Sequence, residues 1–282
     1  MTMKKILFVV GTFLSLSITA QIKMPAPSPT QTLSQEFGLG KIDIVYSRPG
    51  LKGRAAFGNG SLLAPTGIVW RTGANGATKV TFSHPVTVGN TVLAAGSYGL
   101  FTIPGETEWT IIFNSNSKGW GSFSYTEAED VVRIKVKPET TSNTTETFTI
   151  GVGNITAETA TIYLKWANTM INIPIKTDIK STIRKQIESS TTGTAVTSAT
   201  YQAAANFYFD MDKDYDKTLV YVDKAIALDA KAYWLFLLKA KTQKELGDKK
   251  GAKVSAETCI KMAEEAKNAD YVRSAKEVIA SL

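Results

Sequence analysis

Residues 160–187 read ATIYLKWANTMINIPIKTDIKSTIRKQI, and the hydrophobic period changes inside this stretch. From Ala160 to Trp166 and from Met170 to Ile175 apolar and polar residues alternate. Successive side chains of a strand point to opposite faces, so such a segment coats a core on one side and meets water on the other. From Asp178 the pattern is helical, with Asp178 placed to cap a helix running through about Ile187. The chain therefore divides after Thr177 into a part built of strands and a part built of helices.

Upstream of that point the period of two recurs. Strands are expected at Lys41–Ser47, Thr78–Phe82, Thr91–Leu93, Ser97–Ile103, Trp109–Phe113, Val131–Val136 and Phe148–Val152. Trp109–Phe113 is nearly continuous in apolar residues, as suits a strand covered on both faces. About ten short strands, separated by Gly, Pro, Asn and Ser turns with no helical pattern between them, predict an antiparallel β-sandwich-like domain over residues 33–177. Ser47 to Gly76 is too rich in glycine for a sheet interior and reads as long shaped loops over the β core. Residues 21–32, with three prolines, read as an extended leader.

Downstream, Ser189 to Ser198 is a Ser/Thr/Gly linker, so residues 178–198 form a helix and its tether. Helices are expected at Tyr201–Phe209, Asp216–Leu228, Ala232–Leu246, Lys249–Ala266 and Tyr271–Leu282. Asp214-Tyr215-Asp216-Lys217 recurs 34 residues later as Asp248-Lys249-Lys250-Gly251, and Ala225 and Ile226 recur as Cys259 and Ile260. That is the tetratricopeptide period. Residues 199–282 thus predict an all-α tetratricopeptide-like helical module, and the whole an α+β multidomain chain. Only two repeats are legible, and Asn206 stands where a small residue is usual; the alternative is a generic stack of helical hairpins.

The first twenty residues carry an address. Lys4 and Lys5 precede the apolar run Ile6–Ile18, and Thr19-Ala20 offers a cleavage point before Gln21. This is the pattern of a signal peptide, with a run short of the ~20 residues that span a bilayer. A periplasmic or secreted protein follows, with no transmembrane segment after cleavage. Thirty-two Lys and Arg against 25 Asp and Glu leave a net charge of +7, spread too evenly for a nucleic-acid footprint. The single cysteine, Cys259, excludes an internal disulfide and reads as a small core residue.

Reactive groups are few. His84 is the only histidine, so neither a histidine zinc cluster nor a Ser-His-Asp triad is legible, and it reads as structural or surface-lying. The alternating Asp210, Asp212, Asp214 and Asp216 fail the calcium-loop pattern, because Tyr215 and Tyr221 stand where Gly and Glu are required. No metal, cofactor or catalytic residue is expected. Glu106 with Glu108, and Glu127 with Glu129 and Asp130, are the carboxylates a glycoside hydrolase would need. Seven loop residues form the remaining constellation: Arg48, Arg54, Trp70, Arg71, Asn75, Trp120 and Tyr125. Arginine forks suit anions, and flat aromatic faces stack on sugars, so these residues predict a small anionic or carbohydrate ligand on the β domain. The competing reading has the arginines pinning loops through backbone carbonyls and the tryptophans filling the core.

Tyr46-Ser47-Arg48-Pro49, Lys52-Gly53-Arg54, Val69–Asn75, Gly96–Pro104, Trp109–Asn114 and Trp120-Gly121 occur in that order. This series, over about residues 28–176, resembles the exported bacterial family catalogued as domain of unknown function 2911, common in Bacteroidetes. The resemblance implies a Gram-negative exported protein, often with a helical tetratricopeptide-like tail, and implies no reaction. The expectation is a non-catalytic binding or assembly factor of the cell envelope, its helices meeting a protein or peptide partner. The alternatives are a carbohydrate-directed hydrolase and a structural component of a surface assembly.

Overall fold

The computed structural model describes residues 24–282; the expected signal peptide and the first residues of the expected leader lie outside the described residues. Ten strands come first: β1 (Thr30–Phe37), β2 (Gly40–Ser47), β3 (Ala74–Phe82), β4 (Val86–Val88), β5 (Thr91–Leu93), β6 (Gly96–Ile103), β7 (Trp109–Asn114), β8 (Asp130–Val136), β9 (Glu139–Gly153) and β10 (Thr159–Lys176). Six helices follow: α1 (Lys180–Thr191), α2 (Ser198–Phe207), α3 (Tyr215–Leu228), α4 (Tyr233–Glu245), α5 (Lys249–Glu265) and α6 (Ala269–Ala280).

The strands make two antiparallel sheets, in the order β1-β2-β3-β6-β7-β8 and β5-β4-β10-β9. Both contribute to one core. Ile42, Ile44 and Tyr46 of β2, Trp109, Ile111 and Phe113 of β7, and Ile162, Leu164 and Trp166 of β10 are all buried in it. Phe101 and Ile112 are equally buried but point to the other face of the larger sheet, outside that core. The segment after β7 folds back there, setting Tyr125 over Phe101 with ring centroids 5.2 Å apart. Trp109–Phe113 is therefore covered on both faces, as suits its nearly continuous apolar run.

The two sheets are clasped at β2 and β9. Tyr46 places its hydroxyl against the backbone of Ile150, accepting from the amide at 2.8 Å and lying 3.1 Å from the carbonyl oxygen. Arg48 donates from Nε to the Phe148 carbonyl at 3.0 Å and from Nη2 to Thr149 Oγ1 at 2.8 Å. Backbone groups on the free edge of β9 are thus satisfied from the opposite sheet.

Several details differ from the sequence expectation: the strands expected at Ala160–Trp166 and Met170–Ile175 are one, β10, and β9 begins at Glu139, well before Phe148. The strand pattern begins at Thr30, inside the stretch read as leader. In β1 only Phe37 is fully buried, so its pairing with β2 carries almost no hydrophobic signal. β4, three residues long, went unread for want of length. The expected linker is also shorter, because α1 continues to Thr191 and α2 starts at Ser198, capped by Thr197, whose side chain accepts from the Thr200 amide at 3.2 Å. Asp178 does accept from the Ser181 amide at 3.2 Å, the first-turn contact its position suggested.

In the helical part consecutive helices pack on one another, and α6 also touches α4. α3 and α5 begin at Tyr215 and Lys249, 34 residues apart, capped by Asp214 and Asp248. Small residues permit the close approach: Ala225, Ala252, Ala256 and Cys259 are all fully buried. Burial pushes the Cys259 thiol above its ordinary value, so it behaves as a small core hydrophobe. No helix among the described residues is long and apolar enough to cross a membrane.

Candidate functional site

Three aspartates between α2 and α3, Asp210, Asp212 and Asp214, are placed by an irregularity, and Asp216 lies in the first turn of α3. α2 continues into a π-helical turn, Tyr208–Asp212, which ends at Lys213 with φ +56°. Asp212 receives both Nε and Nη2 of Arg184 at 2.7 and 2.6 Å, tying α1 to this turn, and Asp214 caps α3 by accepting from the Lys217 amide at 3.0 Å. No group of three or more His, Cys, Asp or Glu that could hold a metal occurs among the described residues.

The π turn also swings Phe209 and Asp210 toward α4. There they join Gln202 and Asn206 of α2, Trp234, Leu238 and Lys241 of α4, and Tyr271 of α6 around a cavity of about 250 Å³. A second cavity, of about 350 Å³, shares Phe209 and Lys241 and continues between α4 and α6 past Lys244, Ser274 and Glu277. The two form one groove. Trp234, Leu235 and Leu237 line the first cavity, Trp234 being fixed by donating from Nε1 to Gln202 Oε1 at 3.0 Å, whereas the second is lined mostly by polar side chains. Asn206, Asp210 and Lys241 are exposed, and Lys241 and Asp210 enter no ion pair among the described residues. Such a surface offers rings and aliphatic stems for apolar side chains, and amide, carboxylate and ammonium groups for a peptide backbone and its charges. Sequence reasoning missed these residues individually. The irregular turn that aims Phe209 breaks the helical period by which facing positions are counted.

The seven residues singled out on the β domain do not converge. Trp70 lies in the core, stacked on Trp166 with centroids 5.7 Å apart and donating from Nε1 to the Gly73 carbonyl at 3.0 Å. Arg48 is spent in the clasp, and Arg54 closes its own loop by donating to the carbonyls of Leu51 and Gly50 at 2.9 and 2.8 Å. Tyr125 donates to Asp130 at 2.8 Å and accepts from Arg133 at 2.8 Å. Arg71, Asn75 and Trp120 do adjoin. The Asn75 carbonyl accepts from Arg71 Nη1 and from the Gly121 amide, both at 3.0 Å, and Trp120 bridges to Gly76.

The chain matches the model of the family described as protein of unknown function (DUF2911) across residues 28–175. It belongs to that family. No curated protein and no solved structure matches it. The family's residues account for the β domain, and the match stops just before α1. The Tyr46-Ser47-Arg48 motif has a structural use, since two of its three side chains hold the sheets together.

The carboxylates weighed for hydrolysis are mostly paired. Glu108 meets Lys135 at 3.1 Å, Glu127 meets Arg133 at 3.1 Å, and Asp130 meets Arg133 at 2.7 Å. Glu106 lines a third cavity, of about 370 Å³, with Glu139, Phe57, Trp109 and Thr140. Glu139 accepts from Asn172 Nδ2 at 2.9 Å. His84, the lone histidine, lies beside Phe37 with its Nε2 enclosed and unpartnered, and burial lowers its pKa.

Proposed function

We propose that this chain is a non-catalytic binding or assembly factor of the cell envelope whose tetratricopeptide-like helical module receives an extended protein or peptide segment. One observation carries the reading: the two adjoining cavities along α2, α4 and α6 that share Phe209 and Lys241. The envelope address is supported by the signal-peptide pattern of residues 1–20. Of the seven residues read for a small ligand on the β domain, only Arg71, Asn75 and Trp120 adjoin.

The test is selection of displayed peptides on the full mature protein, followed by titration of the selected peptides. Replacing Phe209 by Ala or Lys241 by Glu is expected to weaken them at least about tenfold, the scale of one anchoring contact. Peptides that bind the two variants as tightly as wild type would remove the groove from the reading. A carbohydrate-directed hydrolase is the second reading, favoured by the Glu106–Glu139 cavity alone. Envelope glycan turnover lost in both Glu106→Gln and Glu139→Gln would establish it instead.

A further inference from the structure

The segment between β7 and β8 is held unusually well for a loop, and it leaves two large rings in water. Asn114 donates from Nδ2 to the Thr126 carbonyl at 3.0 Å and accepts from the Asn116 amide at 2.9 Å. The Ala77 amide donates to the Gly119 carbonyl at 3.0 Å, and the Gly121 amide to the Asn75 carbonyl at 3.0 Å. Tyr125 seals the underside against Phe101. Gly99 makes this seat possible: a Cβ there would stand 2.6 Å from the Asn116 carbonyl oxygen. Trp120 and Phe123, on the same loop, are nevertheless 68% and 87% exposed.

Folding gains little from two rings so displayed on a well-bonded loop. Cations stand beside them. A Cβ placed on Gly121 would lie 3.0 Å from the Phe123 ring and 3.2 Å from Arg71 Nη1, so ring and guanidinium flank the same backbone point. Lys118 is exposed two residues before Trp120. Neither Arg71 nor Lys118 enters an ion pair among the described residues. The acidic groups Glu127, Glu129 and Asp130 sit at the loop's exit, where Arg133 binds two of them.

We infer that this loop is a membrane-docking surface, with Trp120 and Phe123 entering the interfacial layer of a bilayer and Arg71 and Lys118 meeting anionic phospholipid headgroups. Tryptophan and phenylalanine favour that layer, and basic groups near an anionic surface add an attraction that salt weakens. A lipid surface fits better than a sugar because the rings are 68% and 87% exposed and line none of the three cavities described. The lead-in lies at the same place: Asn75 donates from Nδ2 to the Ser28 carbonyl at 3.3 Å. Docking here would hold Ser28 close to the bilayer. The inference is independent of the helical groove.

Flotation of the full mature protein with vesicles of phosphatidylethanolamine and phosphatidylglycerol, against vesicles of phosphatidylcholine alone, tests it. Wild type is expected to float with the anionic vesicles, less so as salt rises, with tryptophan emission shifting to the blue. The double variant Trp120→Ala/Phe123→Ala is expected to lose at least about tenfold in partitioning, the order set by withdrawing two rings from an apolar phase. Lys118→Glu is expected to lose affinity only for the anionic vesicles. Both variants change exposed side chains, and an unaltered melting temperature shows that each still folds. Wild type that stays unbound, a double variant that floats as well as wild type, or capture by a soluble envelope polysaccharide through the same rings would each overturn the inference.

Discussion

Replacing Tyr46 by Phe tests the clasp between the sheets. The ring stays, edge-on to Phe148 at 5.9 Å, and only the hydroxyl is removed. Its loss strands the amide of Ile150, a residue 2% exposed, and removes the one proton shared between the Ile150 carbonyl at 3.1 Å and Gln31 Oε1 at 3.0 Å. A buried backbone group left without a partner costs about 1–3 kcal/mol. With the amide stranded, the expected destabilisation is roughly 1–3 kcal/mol. For a chain of this size that lowers the melting temperature by roughly 2–12 °C. Tryptophan fluorescence during urea unfolding is the assay, because Trp70, Trp109 and Trp166 are buried in the β core. Tyr163→Phe is the control, removing a hydroxyl that bonds to none of the described residues, and it should shift stability by less than about 0.5 kcal/mol. If Tyr46→Phe matches that control, the reasoning fails, and the Tyr46 hydroxyl adds nothing to the hold of Arg48 and the residue 49–51 backbone on β9.

Other consequences follow from single groups. Burial lowers the pKa of His84, so the unfolded chain binds the extra proton first and stability falls as pH drops below the ordinary value of 6.5; this slope should vanish in His84→Gln on urea titrations across that range. Burial, the largest influence on Tyr46, raises its pKa, so its contribution is present below the ordinary value of 10.0 and lost as pH rises beyond it; Tyr46→Phe should show a shallower alkaline decline. Cys259 should resist a thiol reagent in the native protein and react only at the rate of unfolding, whereas labelling within seconds under native conditions would contradict its burial. Arg184→Ala removes the paired bonds to Asp212 and should hasten proteolysis between α1 and α2, read as cleavage near residues 192–197.

Periodicity made the large divisions legible. Alternation in β2 and β8, the unbroken run of β7 and the cap at Asp178 are local facts, since a strand or helix expresses its pattern in its own neighbours. The offset between Asp214 and Asp248 likewise reproduces the start of α3 at the start of α5. β1 escaped because an edge strand held by backbone pairing with β2 needs little hydrophobic burial of its own.

Residue types in the sequence were sufficient to propose Arg48, Arg54, Trp70, Arg71, Asn75, Trp120 and Tyr125 together, because every one is able to hold a ligand. Only the tertiary structure separated them. It spent Arg48 and Arg54 on carbonyls, sank Trp70 beneath Trp166, and left Arg71, Asn75 and Trp120 side by side at the surface. Phe123 and the groove residue Phe209 carry no local mark of exposure. What a side chain faces is decided by segments distant in sequence, and no pattern within its own element records them.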